Sequence, residues 1–168
     1  MVFYRESVSA TSRGNMPTFH DITDEVKEIV ARSKAKNGIC VVYSHHTTCS
    51  VLIQEHSYDE TYNEQQFLMQ DLLDMFETIL PTCRKEGQYL HPGPKITEVA
   101  ASHGEGKPWC LNTDGHLRSV LLGRSESIVI QDGKLDLGQF GRIYFADFDQ
   151  TRVRDREAQV QIIGEAYE

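Results

Sequence analysis

Alternating polar and apolar side chains predict that the chain begins with a β-strand. Between residues 2 and 11, Phe3 and Arg5 fall on one face, while Tyr4 and Val8 fall nearer the other. Short runs rich in β-branched and aromatic residues predict further strands, because such side chains pack well on a pleated surface. These runs cover residues 39–44, 51–55, 127–131, 134–137, 142–148 and 153–163.

Helical spacing of apolar residues replaces this alternation in two longer segments. Residues 24–36 form one apolar stripe, and Thr23 is placed to act as the N-cap. Residues 62–80 repeat the spacing over a longer stretch, which Pro81 ends because proline cannot continue a helix. The sequence therefore predicts two helices of unequal length.

The middle of the chain carries a long segment with neither pattern. Residues 83–109 are rich in glycine, proline and charge, which predicts a loop with a helical turn over residues 96–102. Loops of this length are usually functional or disordered. A short helix is predicted to follow at residues 115–122, with Asp114 placed to cap it.

A tight turn indicates the class of fold. Asp132-Gly133 separates two short strands and predicts a two-residue hairpin, because these residues adopt the positive φ angles that such a turn requires. Hairpins dominate and helices lie between them, so the predicted fold is α+β with a mainly antiparallel sheet or sandwich. With 168 residues, of which 39% are hydrophobic, the chain fits a single domain over residues 1–168.

Charge and composition exclude several classes of partner. A formal net charge of -8 argues against binding to nucleic acid, which needs clusters of Lys and Arg. Polar residues interrupt every apolar stretch before the roughly 20 residues that span a bilayer, and residues 1–16 lack the apolar core of a secretion signal. We therefore expect a soluble cytoplasmic protein without a membrane partner. The four cysteines form no Cys-x-x-Cys pair and are expected to be reduced packing residues.

Three histidines lie in short polar motifs and are candidates for a metal site. His46 follows a predicted strand, His91 lies in the long loop, and His116 lies near the start of the third helix. Three neutral imidazoles leave a fourth coordination position open for water or a substrate oxygen, as a catalytic divalent ion requires. The ordinary alternative is that these are solvated loop residues. In an extended segment, His45 and His46 would point to opposite faces, so at most one of them is expected in the site.

An ordered series of motifs supports a more specific interpretation. It runs from Phe19 to Glu165 and includes Asp21-Ile22-Thr23, His46-Thr47-Thr48, Asn112 with Asp114, His116-Leu117, Leu135-Asp136-Leu137-Gly138 and Arg152. In this order the motifs resemble the YjbQ-type family, some members of which are described as secondary thiamine-phosphate synthases. The resemblance implies a compact α+β fold, a homotrimer, and a metal site formed by His46, His91 and His116.

For function, the resemblance implies a weak thiamine-phosphate synthase activity. A pyrimidine diphosphate would be joined to a thiazole phosphate, giving thiamine phosphate and diphosphate. Three histidines favour zinc or a similar transition ion, although magnesium is the usual partner of diphosphates. The groups expected to bind a small phosphorylated or anionic ligand are Thr47, Thr48, Asn112 and Arg152.

Carboxylates have two expected roles beside the histidines. Glu55, Asp71 and Asp114 are candidates to accept a hydrogen bond from a metal-bound imidazole. Glu55 or Asp114 is also the candidate catalytic base in an alternative reaction, metal-assisted hydrolysis, in which it takes the proton of a metal-bound water. A second alternative is a non-catalytic trimeric protein that binds a metal or ligand, with a fourth protein ligand closing the site.

The chain also differs from the family pattern. His45 stands where members of the family usually have proline, and the stretch between His91 and Asn112 is longer than is usual in the family. Because pocket loops set selectivity, these differences leave the substrate open. The remaining histidines are expected to be surface or capping residues, namely His20, His56 and His103.

Overall fold

The computed structural model describes residues 1–167, which form two antiparallel β-sheets with helices between and around them. Every neighbouring pair of strands is antiparallel, which confirms the predicted α+β class. The strands are β1 (Val2–Thr11), β2 (Thr18–Asp21), β3 (Ala35–Tyr43), β4 (Cys49–Glu55), β5 (Ser125–Gln131), β6 (Lys134–Leu135), β7 (Gly141–Asp147) and β8 (Asp155–Ala166). The helices are α1 (Thr23–Ser33), α2 (Phe67–Ile79), α3 (Pro94–Ser102) and α4 (Thr113–Leu122), with a short 3₁₀ helix at Lys107–Cys110.

The order of the strands decides where the chain crosses between sheets. One sheet has five strands in the order β1-β8-β3-β5-β6, and the other has three in the order β2-β7-β4. The connection from β3 to β4 therefore leaves the five-stranded sheet and enters the three-stranded sheet. This connection carries the His-His-Thr-Thr motif.

Two of the predicted local patterns are confirmed directly. In β1, Phe3 and Arg5 are exposed and Val8 is buried, and the strand pairs with β8 in an unbroken register. β5 and β6 form the predicted hairpin, in which Asp132 has φ 50° and Gly133 has φ 75°. Both features depend on neighbouring residues alone, which is why the sequence predicts them well.

The core has two layers that share the three-stranded sheet. The larger cluster joins α1 to both sheets, with Val26 and Ile29 fully buried. The second cluster packs α2 against the opposite face of the three-stranded sheet, where Phe76 meets Phe148 edge to face at 5.9 Å between ring centroids. β7 is buried on both faces as a result, so the residues just after it are firmly positioned.

α1 differs from the predicted helix at both ends. Thr23 is its first residue and does not act as the N-cap, because its N–H and hydroxyl both donate to Asp21 Oδ1, at 3.0 and 2.5 Å. The Thr23 hydroxyl also accepts the Ile143 N–H at 2.8 Å, which ties the helix to β7. The helix ends at Ser33 because Lys34 takes a left-handed conformation with φ 56°.

The other helices also depart from their expected bounds. α2 begins at Phe67, after a turn in which the Thr61 N–H donates to the Gln65 carbonyl at 2.8 Å. The long loop holds more helix than predicted, although no side chain of α3 is buried. Asp114 lies inside the first turn of α4 and makes no N-cap hydrogen bond. No helix in the described part of the chain is long and apolar enough to cross a lipid bilayer.

All four cysteines are buried, and none forms a disulfide within residues 1–167, which confirms their predicted packing role. Burial raises the pKa of Cys40 to about 12, and it also raises the pKa of Cys49. A thiol with so high a pKa is almost fully protonated at neutral pH and is a poor nucleophile. Cys40 and Cys49 are therefore not candidates for covalent catalysis.

Candidate functional site

A cavity of about 620 Å³ lies among the β3–β4 connection, the start of α4, and the segment from α3 to the 3₁₀ helix. It is lined by five of the seven histidines of the chain. These are His45, His46, His91, His103 and His116. The structure thus brings the three predicted metal ligands to one cavity, together with two histidines that were expected to lie elsewhere.

The β3–β4 connection does not have the extended shape assumed from the sequence. The Cys49 N–H donates to the His46 carbonyl at 3.2 Å, so the chain turns after leaving β3. The rings of His45 and His46 lie 4.1 Å apart between centroids, and both line the cavity. The prediction that these rings point to opposite faces is therefore wrong, because strand alternation does not hold in a turn.

His91 and His116 contact each other edge to face in the lining of the cavity. Their ring centroids lie 5.4 Å apart, and the rings are nearly perpendicular at 84°. His116 Nδ1 donates to the Thr47 carbonyl at 3.2 Å, which leaves Nε2 with a free lone pair. This arrangement, a backbone carbonyl fixing one ring nitrogen, is the usual one for a histidine that acts as a ligand or base.

The surroundings of two of these imidazoles favour the neutral form of the ring. Burial lowers the pKa of His46, and the charges of Arg156 and His45 lower it further. Burial also lowers the pKa of His116, and His91 adds to the effect, while the bond to the Thr47 carbonyl opposes it. Neutral imidazoles can bind a metal or accept a proton, whereas imidazolium can do neither.

The fit of these histidines to a metal ion is partial. With zinc–nitrogen distances of about 2.1 Å, two imidazoles on one tetrahedral ion have ring centroids about 5 Å apart, close to the 5.4 Å between His91 and His116. The Nε2 of His46, however, accepts the Glu157 N–H at 3.2 Å. Within residues 1–167, no three His, Cys, Asp or Glu side chains are grouped closely enough to hold an ion. The structure therefore brings together a pair of suitable ligands and a third that is turned to the backbone.

The opposite wall of the cavity is cationic. Arg152, predicted as a binding residue, lines the cavity beside Arg154. The Arg152 guanidinium lies over the Trp109 ring, 4.4 Å from its centroid, and both guanidiniums face Glu105. Asn112 and Thr47, two further residues predicted to bind a ligand, line the same space. These are the groups available to an anionic ligand.

Thr48 also lines the cavity, but its hydroxyl is already engaged. Arg156 donates to Thr48 Oγ1 at 3.2 Å, and that hydroxyl lies 3.5 Å from Asp147 Oδ1. Arg156 also donates from Nε to Asp147 Oδ2 at 2.7 Å. This buried network holds the β3–β4 connection in place.

The predicted catalytic carboxylates do not lie in the cavity. Glu55 ends β4, at the opposite end of that strand from the histidine connection, and is exposed. Asp114 is buried, where it accepts the Cys83 N–H at 3.1 Å and the Gln150 side-chain amide at 3.3 Å. Burial raises the pKa of Asp114. Asp71 is exposed on α2 and also lies outside the cavity.

Several cavity residues were not predicted from the sequence. Glu105 and Trp109 lie in the segment described only as a loop, and Arg154 lies in a predicted strand. His103 is exposed, as expected, and it also caps α3 and lines the cavity. No local pattern marks these residues, since their shared position depends on how the α3 segment folds back over residues 149–156.

Comparisons with known proteins agree with this architecture. The sequence model of the family described as UPF0047 protein YjbQ-like matches residues 7–165. A UPF0047 protein of Methanocaldococcus jannaschii is 33% identical over 145 residues, covering 86% of this chain and 84% of the relative. The UPF0047 protein YugU of Bacillus subtilis is 28% identical over 134 residues, covering 80% and 82%. A solved YbjQ-like protein of unknown function from Sulfolobus solfataricus has a TM-score of 0.71 at 25% identity, covering 97% of this chain and 98% of that one.

Proposed function

The chain belongs to the UPF0047 YjbQ-like family, and we propose that its histidine-lined cavity is the active site of a metal-dependent enzyme acting on small phosphorylated substrates. The observation that carries this proposal is the meeting of five histidines with two accessible arginines in one cavity. Its volume of about 620 Å³ falls within the range of small-molecule sites. We further propose a cytoplasmic location, because buried cysteines without disulfides are usual in a reducing compartment.

The cationic wall supports an anionic substrate. Arg152 and Arg154 keep 20% and 34% of their side-chain surface exposed, so a ligand can reach both guanidiniums. Arg156 contributes less, because its guanidinium is bound to Asp147 and lies 3.6 Å from Asp149. Arginine forks match the oxygens of a phosphate, and this pairing is strong when it is partly shielded from water.

The reaction we propose is the joining of a pyrimidine diphosphate to a thiazole phosphate, with release of diphosphate. Zinc, or magnesium bound together with the diphosphate, would supply positive charge to the leaving group. Arg152 would hold a phosphate, and the hydroxyl of Thr47 and the amide of Asn112 would orient the substrates. His116 would bind the metal through Nε2, since the Thr47 carbonyl holds its Nδ1–H.

The alternative reaction, metal-assisted hydrolysis, has less support. Its predicted bases, Glu55 and Asp114, do not line the cavity. Asp149 does line it, but it already accepts the Thr151 hydroxyl at 2.6 Å and lies 3.6 Å from Arg156. The non-catalytic alternative requires Glu55 or Asp114 as a fourth metal ligand. Neither residue lines the cavity, so this alternative also has less support.

We also propose that the protein forms the homotrimer that the family resemblance implies. The outer face of the five-stranded sheet carries a row of exposed apolar side chains that are direct cross-strand neighbours: Phe3, Ile163, Ile39 and Val129. Large contiguous apolar patches on soluble proteins usually mark an interaction surface. Ile163→Lys should lower the mass measured by light scattering to that of a monomer. Val120→Lys, a matched change at another exposed position, should leave it unchanged.

Metal analysis of protein purified without added metal or a histidine tag tests the enzyme proposal. We expect near-stoichiometric zinc or another transition ion, lost in His91→Ala and His116→Ala and reduced in His46→Ala. His56→Ala, at a histidine outside the cavity, should keep the metal. His91→Ala and His116→Ala should also lose turnover of the two thiamine precursors or of simple phosphoesters. A protein that binds no zinc or magnesium and turns over none of these substrates would not be the enzyme proposed.

A further inference from the structure

We propose that Arg152 and Arg154 form a phosphate subsite and that Glu105 occupies this subsite until a phosphate group displaces it. The inference rests on the proposal above that the cavity binds an anionic ligand. It explains how the cavity would select phosphate groups over carboxylates. Glu105 lies in the segment between α3 and the 3₁₀ helix, whereas both arginines lie between β7 and β8.

One carboxylate oxygen bridges the two guanidiniums. Glu105 Oε1 accepts a hydrogen bond from Arg152 Nη2 at 2.5 Å and lies 3.6 Å from Arg154 Nη1. All three side chains line the cavity, and the Glu105 side chain keeps 38% of its surface exposed. The carboxylate therefore sits where an anionic group of a ligand would bind, and it can be reached from the cavity.

Arg152 is held independently of Glu105. Its guanidinium lies 4.4 Å from the centroid of the Trp109 ring, within the range of a cation–π contact. If the Glu105 carboxylate moves away, this contact keeps the guanidinium facing the cavity. The subsite is thus already formed before a ligand enters.

The Glu105 side chain can move away from the arginines at low cost. Its N–H donates to the Ala100 carbonyl at 2.9 Å, but none of residues 94–109 is buried. Gly104, with φ 77°, and Gly106 flank it. Segments with few buried contacts open locally with small free energies, so displacement of one side chain here does not disturb either core.

The exchange favours doubly charged groups. Glu105 offers one negative charge, whereas a phosphate monoester carries about 1.5 to 2 and has three acceptor oxygens. Because Glu105 is tethered, it competes at a high effective concentration, which excludes weak monoanions such as simple carboxylates. The cavity should therefore select phosphate or diphosphate groups over carboxylates.

Titration with inorganic phosphate, followed by tryptophan fluorescence, tests this exchange. Trp109 is the only tryptophan of the chain, so its emission reports on the wall that carries Glu105. Glu105→Gln removes the competing charge and should bind phosphate about 1.5- to fivefold more tightly, the range expected for a partly exposed ion pair. It should also bind acetate, which the unmodified protein should not. Arg154→Gln should bind phosphate more weakly than the unmodified protein.

Glu98→Gln is the matched control, because Glu98 is exposed on α3, lies outside the cavity and changes the net charge by the same amount. It should bind phosphate as the unmodified protein does. If Glu105→Gln binds phosphate no more tightly, while Arg154→Gln still weakens binding, the role of Glu105 is wrong and the anionic-ligand cavity stands. If the unmodified protein and Glu105→Gln both fail to bind phosphate, the cavity does not take anions and both proposals fail.

Discussion

The guanidinium of Arg156 and the carboxylate of Asp147 form a 2.7 Å hydrogen-bonded ion pair beside the cavity, and their side chains are only 5% and 1% exposed. The pair connects β8 to the end of β7. Through the Thr48 hydroxyl, it also supports the connection that carries His46. The positive charge of Arg156 is one reason why the pKa of His46 is lowered, after burial.

Arg156→Met should strongly destabilise the protein. The change leaves Asp147 buried without its partner, and breaking one side of a buried pair typically costs about 3–5 kcal/mol. Urea unfolding would measure the loss. The matched change Arg154→Met, at a side chain that is one-third exposed, should cost less than about 1 kcal/mol. Equal losses in the two variants would show that the buried pair has no special structural role.

His20 should make stability fall on acidification. Its Nε2 is buried, and no group in the described chain bonds it. Burial lowers the pKa of His20, although the Thr11 backbone and Asp147 oppose the shift. The unfolded state therefore takes up a proton first, so this contribution is present at neutral pH and is lost as pH falls below about 6.5.

Urea unfolding at several pH values would isolate this contribution. His20→Phe keeps a ring of similar shape but cannot be protonated, so its stability should fall less between about pH 7 and pH 5. His103→Phe, at an exposed histidine, should leave the pH dependence of the unmodified protein. Parallel curves for the unmodified protein and His20→Phe would contradict the prediction.

Substitutions of Asp114 and Glu55, the two candidate bases, should differ in their effect on stability. Asp114→Asn weakens contacts to the Cys83 N–H and to Arg118, which lies 3.6 Å away and is buried, so unfolding should become easier by about 1–3 kcal/mol. Glu55→Gln, at an exposed position, should change stability by less than about 0.5 kcal/mol and leave any turnover unchanged. Loss of turnover in a stable Glu55→Gln protein would restore Glu55 as the catalytic base.

Gly164→Ala should destabilise the pairing of β8 with β3, where Gly164 lies opposite Gly38. A Cβ atom at this position would lie 2.2 Å from the Asn37 carbonyl oxygen, and main chain cannot move aside as a side chain can. Overpacking of this kind typically costs about 1–3 kcal/mol. Gly93→Ala is the control, since its Cβ would meet no atom closer than 3.9 Å. Thermal unfolding of the two variants would give the comparison.

The parts of the fold that were predicted correctly depend on neighbouring residues. The alternation in β1 and the Asp132-Gly133 turn are set by local geometry, so the sequence contains what is needed to predict them. The bounds of α1 were not predictable in the same way. Thr23 is held by Ile143, a residue of β7 far along the chain, and such a contact leaves no local pattern.

The site shows the same division. Short motifs were enough to predict that His91 and His116 lie in one site, and their rings are in contact in the structure. Asp114 was placed near His116 by sequence, but its carboxylate turns away into the protein because Cys83 and Arg118 bind it there. The position of Glu105 against Arg152 depends on the path of a segment with no strong periodicity, which sequence patterns do not determine.

The wall formed by residues 94–109 contributes no buried side chain to either core, whereas the β3–β4 connection and α4 are fixed by both sheets. Substitutions in this wall should therefore have little effect on the stability of the fold, while they change which ligands the cavity binds. Evolution, or a protein engineer, could exchange the whole segment for one of another length and keep the histidines in place. Ligand selectivity and fold stability therefore depend on different segments of the chain.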